Sequence, residues 1–86
     1  MSKGRQEQQD LLVLGHAISQ IRAERGMSMG DLSAATGLAP TLIQELERGR
    51  LDPSYETLLT VADGLGVRPS SFVMRAEELK AQRRPP

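Results

Sequence analysis

Five runs of apolar residues at steps of three and four, each closed by glycine or opened by proline, constrain this chain more than any other feature. In the first, Leu11, Leu14, Ile18 and Ile21 share one face of a helix over about 10 to 25, with Asp10 as its N-cap and Gly26 as its stop. Ser28 followed by Asp31 resembles a capping box and opens a two-turn helix through Leu32 and Ala35 to Gly37, which takes the left-handed conformation without a Cβ clash. Pro40 suits the first turn of a helix over 40–48, where Ile43 and Leu46 share a face and Gly49 closes the segment. Asp52-Pro53-Ser54 supplies a turn and a cap for Leu58, Val61, Ala62 and Leu65. Pro69 opens the last run, with Phe72, Arg75, Ala76 and Leu79. No segment alternates apolar and polar residues long enough for a strand, so the expected fold class is all-α, a compact five-helix bundle.

Length limits what such a bundle can bury. With 86 residues the chain is one small domain, and a chain this size covers only about 60 % of the surface its unfolded form exposes. The core is therefore thin, and dimerisation would add to it. The first nine residues are expected to form a flexible arm, 10–80 the domain, and 81–86 a flexible tail ending in two prolines. The absence of cysteine removes disulfides, thiolate metal sites and cysteine nucleophiles, and makes a reducing cytoplasm the simplest compartment. The longest unbroken apolar run, Leu11 to Leu14, falls far short of the roughly 18 residues of a membrane span.

Charge balance is neutral, with 11 basic and 11 acidic side chains. A nucleic-acid partner must therefore be argued from the placement of charge rather than its excess. The placement that matters lies between Ser28 and Gly49: a short helix, a tight turn at Gly37-Leu38-Ala39, and a second short helix. In a helix-turn-helix the first helix crosses the phosphate backbone while the second lays its N-terminal residues against base edges in the major groove.

These residues resemble the Cro and phage-repressor type of helix-turn-helix, the XRE family. The resemblance runs from Leu14 to about Phe72 through LGHAISQIRAERGMS, DLSAATGL, LIQELERGR and DPSYETLLTVADGLGV. It implies a lambda-repressor-like DNA-binding domain. Its most specific piece is Glu47-Arg48-Gly49 combined with Arg22 and Pro53. The resemblance implies that Arg22 and Glu47 form a structural ion pair between the first and third helices; each also follows a core-facing residue, Ile21 and Leu46. It maps base reading onto Pro40, Thr41, Gln44 and Glu45. Gln44 suits adenine, Glu45 the N4 amine of cytosine, and Thr41 a thymine methyl or a phosphate. Phosphates would meet the start of the second helix, Ser28 and Met29, with its free N–H groups, and Arg48, Arg50 and Arg25, with Lys3 and Arg5 of the arm. By the same resemblance a two-fold dimer would use Leu65, Val67, Phe72, Val73, Met74 and Leu79 as its seam, placing two third helices about one DNA turn apart on a palindromic site.

Two departures keep a second reading open. Met29 stands where many members place Gln, and Ala39 where the third helix usually has a Ser or Thr cap. With Pro40 and an exposed Leu42 they suit a protein-interaction module, antitoxin-like or adaptor, on the same scaffold. Enzymatic readings fare worse. His16 is the only histidine, and Glu45 and Glu47 diverge by about 200° on a helix. No nucleophile, base and orienter converge, so neither catalysis, nor a metal, nor a cofactor is expected. The expected partners are double-stranded DNA and a second copy of the chain.

Overall fold

A computed structural model describes residues 2–83 of the protein. Its elements are five helices: α1 (Ser2–Glu24), α2 (Met29–Thr36), α3 (Pro40–Glu47), α4 (Tyr55–Leu65) and α5 (Pro69–Arg83). Among the described residues there is no strand. The apolar stripes meet in one core of Ile18, Ile21, Leu32, Ile43, Leu46, Val61, Ala62, Leu65 and Phe72, each at most 5 % exposed. Burying a side chain of this kind stabilises by about 1.5–3 kcal/mol relative to leaving it in water.

Two helices run past their expected ends. The start of α1 is Ser2 rather than residue 10, so Asp10 is no N-cap; its carboxylate accepts from Gln6 Nε2 at 3.1 Å and from Lys80 Nζ at 2.9 Å. The segment before it has no apolar period, but Lys, Arg, Gln and Glu are good helix formers, and the Gln6–Asp10 pair spans one turn. Similarly, α5 continues through Ala81 and Gln82 to Arg83, so helix covers part of what was expected as arm and tail. Residues 84–86 lie outside the described residues.

The contacts of α1 with α5 hold the outer layer together. Arg75 of α5 grips the Glu24 carboxylate with two hydrogen bonds, at 2.7 and 2.9 Å, and reaches Gln20 Oε1 at 3.1 Å. The guanidinium pulls the Glu24 carboxyl below its ordinary range, and Lys80 does the same to Asp10. Arg25, expected near phosphates, turns instead toward α4 and donates from Nε to the Leu65 carbonyl at 3.0 Å. That carbonyl belongs to the last turn of α4, where backbone acceptors lack intrahelical partners.

Candidate nucleic-acid interface

The pair α2–α3 is built around a turn that side chains staple shut. Gly37 takes φ 76°, a conformation glycine adopts without steric cost. Across it the Ser33 hydroxyl donates to the Leu38 carbonyl at 2.6 Å. The Thr36 hydroxyl donates to the Leu32 carbonyl at 2.7 Å and accepts from the Leu38 amide at 3.2 Å. The pattern of apolar residues gave no hint of this staple; the signal was a Ser and a Thr in the last turn before a helix-ending glycine, where hydroxyls bond nearby backbone.

At the entrance to α2 the capping box forms in both directions. Ser28 Oγ accepts from the Asp31 amide at 3.0 Å, and Asp31 Oδ2 accepts from the Ser28 amide at 2.9 Å. These bonds hold the Asp31 carboxyl below its ordinary range. The box occupies two of the donors expected to serve a phosphate and sets a carboxylate beside them; the Met29 and Gly30 amides remain. The entrance to α3 is different. Ala39 sits in the extended region with no side-chain cap, and Pro40 follows at the first helical position.

Along α3, Ile43 and Leu46 are fully buried while Thr41 and Glu45 face solvent and Gln44 is half-buried. Pro40 is exposed, and Arg48 and Arg50 extend from the end of the helix and the turn behind it. The Arg50 guanidinium lies 3.8 Å from the Glu45 carboxylate, both well exposed, a pairing of at most about 1 kcal/mol. Leu42, read from the sequence as exposed, is half-buried, and the Met29 side chain packs against the core. The expected apolar patch around Pro40 is thereby reduced, because both side chains are half-buried.

Behind this face Arg22 bridges α1 and α3. Its Nε and Nη2 donate to the two Glu47 carboxylate oxygens at 2.7 and 3.0 Å, and Nη1 donates to the Met27 carbonyl at 2.7 Å. The Glu47 side chain is only 4 % exposed. Planar guanidinium and carboxylate meet edge to edge, the geometry that strengthens such a pair.

The residues expected at a dimer seam divide. Leu65 and Phe72 are 2 % and 0 % exposed in the core of the single chain, so they have no surface to offer a partner. Their helices already pack on α2 and α1, and the core of the single chain takes up both side chains. Val67 and Leu79 are half-buried, whereas Val73 and Met74 face solvent. Two residues outside the expected set join them on the surface: Tyr55, 69 % exposed, and Leu59, 39 % exposed. Tyr55, Pro69 and Val73 line one shallow hollow, and Leu59, Val67 and Pro69 the adjoining one. The sequence signal was their i, i+4 spacing on the side of α4 away from Val61 and Leu65.

Residues 18–72 match the family model HTH_3, described as helix-turn-helix. The chain is 35 % identical over 60 residues to the HTH-type transcriptional regulator SutR of Escherichia coli, a match covering 70 % of this chain and 34 % of SutR. It therefore spans about a third of that relative's length. Among solved structures, the clp gene regulator ClgR of Corynebacterium glutamicum superposes with a TM-score of 0.81 at 31 % identity, covering 86 % of this chain and 79 % of that one. The restriction-modification controller protein C.AhdI of Aeromonas hydrophila gives 0.71 at 27 % identity, covering 73 % and 96 %. With its stapled turn, its bridged Arg22 and Glu47 and a family match over most of its core, the chain belongs to the HTH_3, or XRE-type, helix-turn-helix family.

Proposed function

We propose that this protein is a small transcriptional regulator of the cytoplasm that binds duplex DNA as a two-fold dimer and reads a palindromic operator through α3. The observation that carries the reading is the division of α3: Ile43 and Leu46 anchor one side in the core while Thr41, Gln44 and Glu45 stand on the other. A helix held this way presents hydrogen-bonding side chains of the kind that distinguish base pairs in the major groove. Gln44 reads adenine through N6 and N7, Glu45 accepts from cytosine N4, and Thr41 meets a thymine methyl or a phosphate. Arg48, Arg50 and the Met29 and Gly30 amides serve the phosphates that set the register. The exposed face of Tyr55, Leu59, Val73 and Met74 serves the second copy.

Zero net charge makes the electrostatic part of this binding modest. Two arginines per protomer neutralise roughly four phosphates in a dimer, giving a slope of log K against log salt near −4. Selection of duplexes from a random pool, at low and near-physiological salt, tests the proposal. Enrichment of a palindrome with half-site centres about 10 base pairs apart is the expected result. Absence of any enriched sequence overturns it and leaves the protein-interaction reading.

A further inference from the structure

The first and third helices cross at a point where there is no room for a side chain. A Cβ placed on the buried Gly15 of α1 would lie 2.5 Å from the Leu46 carbonyl oxygen, 2.6 Å from that of Glu47 and 2.9 Å from the Glu47 carbonyl carbon. All three are backbone atoms, so no rotamer change relieves the overlap; the helices themselves must part. One turn toward the N-terminus of α1 the relation is reciprocal. Gly49, at φ 73°, would place a Cβ 2.6 Å from the Leu12 Cα and 2.8 Å from its nitrogen.

Arg22 follows Gly15 by seven residues and so returns to nearly the same face of α1, about 10 Å further along. There it holds Glu47 at 2.7 and 3.0 Å. The last turn of α3 is thus stopped by backbone contact at one point and tethered by an ion pair at another. Two such points fix both how deeply α3 sits and how it tilts. In a helix of eight residues, Thr41 and Gln44 lie within two turns of the clamped end.

We propose that Gly15 is a positioning residue for base reading: its contact with the Leu46 and Glu47 carbonyls, closed behind by Gly49, sets the depth and tilt of α3, and with them the aim of Thr41 and Gln44. The inference rests on the DNA-reading function proposed above. Long flexible arginines at the edge tolerate a small displacement of the helix, whereas directional contacts to base edges do not. Enlarging Gly15 therefore acts on discrimination more than on attraction.

The test compares Gly15→Ala with Ala23→Gly, which weakens α1 at an exposed position. Circular dichroism in the cold is expected to show both variants helical. Gly15→Ala should then bind the selected duplex about tenfold more weakly while its affinity for random duplex stays within about twofold, and Ala23→Gly should change neither. An unchanged ratio of selected to random affinity in Gly15→Ala overturns the proposal. So does outright loss of helix, which would make the contact a condition of folding alone. If the parent protein enriches no sequence, the DNA reading itself has failed, and the seating of α3 is read from amide resonances. Shifts spread over Thr41 to Glu47 with α4 and α5 unmoved support it, and shifts confined to the turn of α1 around position 15 refute it.

Discussion

Arg22 and Arg25 stand three residues apart on α1 and differ in what their loss leaves behind. Removing Arg22 strands the Glu47 carboxylate, 4 % exposed, without its partner, and an uncompensated buried charge costs about 3–5 kcal/mol. For a domain of this size each kcal/mol moves Tm by about 4–8 °C, so Arg22→Ala should lower Tm by roughly 12 °C or more. Removing Arg25 leaves one carbonyl at the end of α4, close to solvent, and should cost about 1 kcal/mol. Thermal melts of the two variants check the difference; coincident curves would contradict it. The pairing of Arg22 with Glu47 was legible in the sequence because the resemblance named both residues and each sits beside an apolar seam. Gly15 was not, because a glycine inside a helix reads as a mild weakness until the backbone it admits is in view.

At the scale of single elements, the two short helices start differently and respond differently to change. Since Ala39 holds an N-cap conformation with no capping side chain, Ala39→Ser should stabilise the protein by about 0.5–2 kcal/mol. A rise in the urea midpoint at unchanged slope is the readout. The capping box of α2 and the grip of α5 on α1 both depend on ionised carboxylates. Asp31, Glu24 and Asp10 each have a folded-state pKa below the ordinary values of 3.8 for Asp and 4.5 for Glu. Their contribution is complete above those values and is lost as pH falls through the lowered folded ones. Tm should hold level above about pH 5 and drop below about pH 4, and Glu24→Gln should flatten the drop. A Tm that stays level as pH is taken well below 4 would contradict the account. The five helices themselves were legible from apolar spacing and from the glycines and prolines between them. The outer ends of α1 and α5 were not, since the sequence from Ser2 to Gln9 carries no apolar period and rests on propensity and on pairs such as Gln6 with Asp10.

The whole molecule measures 39 × 26 × 18 Å, and α1, about 34 Å long at 1.5 Å per residue, runs most of its longest dimension. Against it pack α3 and α5, while α2 and α4 pack on each other, and Tyr55, Leu59 and Val73 stand exposed on the α4–α5 face. If that face pairs two copies, Val73→Glu should convert a dimer into a species of 9.4 kDa in sedimentation while leaving the helical signal intact. A parent that sediments as a monomer at all concentrations would refute the pairing. The seam expected from the sequence comprised Leu65, Val67, Phe72, Val73, Met74 and Leu79, and of these Leu65 and Phe72 lie in the core. Sequence reasoning could not see that both are needed inside, because neighbours on a helix differ by about 100° and only the packing of α5 decides which one turns inward.

Tyr55 adds one more consequence. It is the only tyrosine in a chain without tryptophan, and it stands 69 % exposed on the bare face rather than in the core. Near-ultraviolet emission from this protein therefore comes from its surface. Unfolding a monomer moves that chromophore from water to water and should change its emission little, whereas association of two faces would take it out of water. Emission and far-ultraviolet dichroism would follow different events, and on dilution the two melting curves of an associating chain would separate.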